Sequence, residues 1–134
     1  MRHLSGPIDV RVPAHPESLR ILRAVASSVA ARLDLRLDAI EELRIAVDEA
    51  ATILLRSAPG PGDLHLRLEP DGAVLRIDVS LAHAAPSWPP DDLTKGWAWI
   101  VIAGLMDQPE LANPGVPTVR FHTPTQPVDH RDAR

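Results

Sequence analysis

Apolar and polar residues alternate over Ile8, Asp9, Val10, Arg11 and Val12. That is the period-two pattern of a half-buried strand, and Pro13 predicts its end because proline has no N–H to give a ladder. From Pro16 the rhythm changes: Leu19, Leu22, Val25, Ala26, Val29, Ala30 and Leu33 recur at helical spacing, with Arg20, Arg23 and Arg32 between them. This predicts an amphipathic helix of about four turns. After a break over 34–37, Asp38 is placed to cap a second helix whose buried stripe takes in Ile40, Leu43, Val47, Ala50, Ala51 and Leu54. The run Pro59-Gly60-Pro61-Gly62 stops it.

Leu64, Leu66 and Leu68 alternate with polar residues, Pro70-Asp71-Gly72 interrupts, and Val74, Ile77 and Val79 resume the extended pattern. The three segments predict a β-hairpin. Pro86, Pro89 and Pro90 make 83–92 a stiff loop. A third helix is expected from Trp97, ending near Asp107 and Pro109, and Val116, Val119 and Phe121 mark a closing strand. The order β-α-α-β-β-α-β predicts an α+β, two-layer sandwich: a mixed sheet with three helices on one face. Residues 1–124 are read as a single domain, and the charged stretch 125–134, which offers little to bury, as a disordered tail.

Composition narrows the function classes. The 134 residues suit one hydrophobic core, and no apolar run approaches the about 18 residues a membrane span needs. There is no basic, then apolar, leader pattern at the start and no cysteine, so a cytoplasmic location without disulfides or thiolate metal sites is expected. A net charge of −4 argues against general nucleic-acid binding, which needs clustered arginine and lysine. The six histidines show neither an i, i+4 pair nor the HExxH spacing of zinc enzymes. Trp88, Trp97 and Trp99 are candidates to line a vestigial pocket, but two of them flank the start of the apolar third helix and read rather as core or interface anchors.

Three stretches in chain order carry a family resemblance. Leu43-Arg44-Ile45-Ala46-Val47-Asp48-Glu49-Ala50-Ala51-Thr52 resembles the N-box helix of the RsbW-type anti-sigma factor kinases, in the histidine-kinase-like (GHKL, Bergerat-fold) ATPase superfamily. Upstream, His15-Pro16-Glu17-Ser18-Leu19 followed by Arg23 is similar to the first helix of that family. Downstream, the segment from Gly96 to Asp107 is similar to its glycine-led helix, with only the first of two opening glycines kept. The resemblance covers about residues 8 to 123. Ala46-Val47-Asp48-Glu49 with Arg56-Ser57-Ala58 looks closest to the actinobacterial branch that restrains sigma-F-like factors.

The resemblance implies roles residue by residue. Glu49 takes the position of the general base that activates an acceptor serine, and Ile53 stands where the family holds magnesium with asparagine. Isoleucine has no lone pair for a hard cation, so no metal site is expected. Asp78 is the only acid available where the family has its adenine-reading carboxylate, but the glycines that accompany that acid are missing and its place between Ile77 and Val79 reads rather as an outward-facing strand residue; Gly96 is the vestige of a phosphate-side glycine. No cofactor is therefore expected, ATP and magnesium entering only if the degenerate site still works. The resemblance thus implies a pseudokinase-like anti-sigma factor of stress-response transcription that sequesters a sigma factor and is released by an anti-anti-sigma protein of the STAS class. The alternatives are an active serine kinase of that antagonist and an orphan small-ligand sensor. The family's pairing mode implies a homodimer through the edge bearing Ile8, Val10 and Val12, and its partner surface falls on Arg20 and Arg23 of the first helix.

Overall fold

A computed structural model describes residues 4–125. Strand β1 (Ile8–Pro13) leads through a 3-10 turn at Pro16–Ser18 into helix α1 (Leu19–Arg32), then helix α2 (Leu37–Ser57). The hairpin β2 (Asp63–Asp71) and β3 (Val74–Leu81) follows, then a loop ending in a 3-10 turn at Leu93–Lys95. Helix α3 (Trp97–Leu105) and strands β4 (Asp107–Ala112) and β5 (Thr118–Pro124) complete the described chain.

The strands form one sheet in the order β1-β2-β3-β5-β4. Every neighbouring pair is antiparallel, so the α+β two-layer class stands while the mixed sheet is corrected. The reason lies in the connections. Two antiparallel helices return the chain to the end of β1 that it left, so β2 must run the opposite way; α3 and β4 together do the same between β3 and β5.

One face of the sheet is apolar. Leu64, Leu66 and Leu68 of β2 and Leu75, Ile77, Val79 and Leu81 of β3 are fully buried, each stabilising the fold by about 1.5–3 kcal/mol relative to exposure. They meet Leu22 and Ala26 of α1, Leu43, Val47 and Leu54 of α2 and Ile102 of α3 in one core. Small residues let α1 and α2 approach closely: Ala26 and Ala30 on one, Ala46, Ala50 and Ala51 on the other, all fully buried. The hairpin turns on Gly72 at φ +63°, a left-handed conformation that glycine adopts without a Cβ penalty.

Two helix-boundary and strand expectations are revised. Asp38 does not cap α2: the cap position is Arg36, and Asp38 lies in the first turn, accepting from the Ala39 N–H. A carboxylate there still complements the positive end of the helix dipole. Residues 107–112 form an extra edge strand, β4. Its Pro109 and lack of alternation hid it, and it sits at the rim with an irregular register and Gln108 at φ +47°, where an edge tolerates proline and bulges. The core also extends past Pro124, since Thr125 is buried and its N–H donates to the Ala73 carbonyl; the rest of the expected tail, 126–134, lies outside the described residues.

Candidate functional site

Helix α2 is the centre of the helical layer, with α1 on one flank and α3 on the other. Its ridge carries Glu49, half-buried, and one turn on Ile53, 5% exposed. Ile53, Arg56 and Ser57 form one wall of a half-open cavity of about 260 Å³, and Pro90, Gly96, Trp97 and Trp99 face them. A second cavity of about 580 Å³ shares Arg56, Ser57 and Pro90 and extends to Trp88.

Of the residues singled out from sequence, the fold brings Ile53 and Gly96 to the same cavity. Gly96 caps α3 with φ −81° and ψ 161°, and its N–H donates to the Leu93 carbonyl. Glu49 stands outside the lining, a turn before Ile53 on α2. Trp97 and Trp99 are cavity walls. Trp88 is a core anchor: 7% exposed, its indole Nε1 donates to the Ala112 carbonyl at 3.0 Å and ties the proline loop to β4.

Asp78 is on the other side of the molecule. Its neighbours Ile77 and Val79 point into the core, so alternation turns Asp78 to the open face of the sheet. There Arg120 donates to it through two nitrogens, Nε to Oδ1 at 3.0 Å and Nη2 to Oδ2 at 3.2 Å. The position that the resemblance gives to adenine recognition is thus occupied by a cross-strand ion pair that shares no cavity with Ile53 and Gly96. The hydrogen bond to Asp78 is the main cause holding the Arg120 guanidinium above its ordinary value, against the opposing effect of burial.

The same open face carries a network that the sequence did not signal. Arg67 donates to Asp9 at 2.9 Å, and His65 Nε2 lies 2.8 Å from the same carboxylate. Desolvation alone would raise the Asp9 pKa, but the hydrogen bonds from His65 and Arg67, with their charges, bring it below the ordinary carboxylate value. Register explains the cluster: Asp9 pairs with Arg67 across β1 and β2, and His65 opposes Arg11 on the same face.

On the proposed partner helix, Arg20 is exposed, whereas Arg23 is about one-third exposed and engaged within the chain. Its Nη1 donates to Asp48 Oδ1 at 2.5 Å, linking α1 to α2. The two residues are 25 positions apart, and nothing local in the sequence announces the pair.

A magnesium nucleotide does not fit these residues. The position to which the resemblance gives an oxygen ligand is a buried isoleucine, which has no lone pair for a hard cation. The first cavity offers one cation, Arg56, and one carboxylate, Asp92, where a triphosphate needs several positive charges.

An antiparallel sheet under three helices, with a cleft between the end of the central helix and the loop before the third, is consistent with the histidine kinase-like ATPase class. The family model for the histidine kinase-like ATPase domain matches residues 12–122, and the chain belongs to that family. It is similar to the anti-sigma-F factor RsbW of Mycobacterium tuberculosis (strain H37Rv), 30% identical over 110 residues, 81% of this chain and 62% of that protein. It is also similar to the serine-protein kinase RsbW of Bacillus subtilis (strain 168), 41% identical over 58 residues, 43% of this chain and 36% of that protein. The matched part of the chain therefore spans less than two thirds of either relative. No helix among the described residues is long and apolar enough to cross a membrane.

Proposed function

We propose that this protein is an anti-sigma factor that sequesters an alternative sigma factor by binding alone and is released by an anti-anti-sigma antagonist. The similarity to the relative called an anti-sigma-F factor supports the partner class. The observation that carries the absence of kinase chemistry is Ile53, buried in the cavity wall at the position of the metal ligand. Without a metal to bridge phosphates, no phosphoryl group is positioned for transfer to a serine hydroxyl, even one whose proton Glu49 could accept as general base. Control then rests on mass action between sigma factor and antagonist for one surface.

Arg20 and Arg23 are the core of that surface. Asp48 fixes Arg23 through one nitrogen and leaves the remaining N–H groups of the guanidinium for a partner carboxylate. The edge of β1 suits a homodimer, because among the described residues β1 pairs only with β2.

The test is transcription by RNA polymerase carrying the sigma factor recovered with this chain. A stoichiometric amount of the chain is expected to inhibit it in the absence of ATP, and the antagonist to restore it. Inhibition that requires ATP, or phosphate transferred to an antagonist serine, would replace this reading with that of an active kinase.

A further inference from the structure

The cavity that does not suit a magnesium nucleotide has other chemistry in its walls. Its walls include two indoles, Trp97 and Trp99, with Ile53 and Pro90. Trp97 is 74% exposed at its mouth, a large aromatic surface left in water where a flat ligand would cover it. Arg56 stands between this cavity and the larger one beside it. It is exposed, and none of the ion pairs among the described residues includes it.

Charge and size narrow the occupant. Asp92 borders the first cavity and Asp91 the second, so a polyanion would meet two carboxylates for one guanidinium, whereas a single negative charge placed on Arg56 is complemented. At about 260 Å³ the apolar compartment falls below the about 300–1,000 Å³ of clefts for drug-sized ligands, which limits the body to two or three aromatic rings. We infer that this cleft binds a small aromatic monoanion, a carboxylate or sulfonate on a planar apolar body, with the rings against Trp97 and the acid group on Arg56. This goes beyond sequestration of a sigma factor and uses a different face from Arg20 and Arg23.

The test uses anilinonaphthalene sulfonate as the probe, with uncharged phenylnaphthylamine as the same aromatic body without its acid, both followed by fluorescence. The sulfonate is expected to bind at least about tenfold more tightly than the neutral compound, equivalent to about 1.4 kcal/mol. Arg56→Gln is expected to abolish that preference and Trp97→Ser to weaken both probes, with thermal melts showing that the variants stay folded. Equal binding of the two probes, or a preference that survives Arg56→Gln, overturns the proposal, the first by reducing the cleft to an unspecific apolar patch. Displacement of the sulfonate by micromolar ATP only when magnesium is present also overturns it, in favour of a nucleotide site. No sigma factor takes part, so the outcome is read independently of the transcription assay.

Discussion

Arg23 on α1 and Asp48 on α2 are joined by a 2.5 Å ion pair across the groove between the two helices, each side chain 34% exposed. One contact therefore serves two ends: it braces the helical hairpin and sets the direction of the arginine proposed to meet a partner. A pair this accessible is screened by water, and its removal is expected to cost only about 0.5–1 kcal/mol. In urea titrations, Arg23→Ala and Asp48→Asn should each destabilise by that amount, with a coupling of similar size in the double variant. Against the sigma partner, Arg23→Ala should lose more than about tenfold in affinity, equivalent to about 1.4 kcal/mol. Unchanged affinity in a folded variant would move the surface elsewhere.

Ile53→Asn places an amide in a wall that is now 95% covered by apolar neighbours and the cavity rim. A loss of about 1–3 kcal/mol in stability is expected. Restoring a ligand at this one position should not restore nucleotide binding, because the cavity still has one cation and Asp78, the acid the resemblance offers for adenine, is turned to the opposite face. Calorimetry with magnesium and ATP is expected to show no micromolar affinity in either the parent or the variant; a saturable exothermic titration in the variant alone would show that Ile53 was the sole defect.

Trp88 joins the proline loop to β4 through a single indole hydrogen bond. Trp88→Phe keeps most of the ring and loses the donor, for about 1 kcal/mol, while Trp88→Ala empties the site for about 3–5 kcal/mol. Hydrogen exchange should show the loop opening in both variants and the β2–β3 hairpin protected as before. Equal protection of the loop in all three proteins would mean that Trp88 does not hold it.

The Asp9 cluster makes a pH signature. Because the folded carboxyl has its pKa lowered by His65 and Arg67, its contribution is complete above the unfolded value of 3.8 and is lost as pH falls through the lower folded value. Asp9→Asn should therefore narrow the stability gap to the parent as the medium is acidified below that point, measured as thermal midpoints between pH 6 and pH 2, a window of about the usual carboxylate titration. A gap that stays constant over the whole range would exclude the linkage.

A dimer through β1 should scatter light as twice the 14.6 kDa of one chain at tens of micromolar. A monomer at that concentration would leave the edge without this partner.

Much of the architecture was legible because it is periodic. The hairpin of β2 and β3, the stripes of α1 and α2 and the short β1 each repeat at two or 3.6 residues, and burial in the structure follows those repeats through Leu64, Leu66, Leu68, Leu22 and Leu43. β4 escaped because an irregular edge strand carrying a proline has no such repeat. The sequence alone also put isoleucine at position 53, where the resemblance implies a metal ligand, since the chemistry of that side chain is independent of what surrounds it. What only the tertiary structure decided are meetings between distant residues: Asp78 with Arg120, 42 positions on, Arg23 with Asp48, 25 positions on, and Arg56 as the wall shared by two cavities. Local spacing says which face of its own strand or helix a side chain occupies. Which side chain from another element shares that place depends on the order and register of the sheet and on how the helices lie across it.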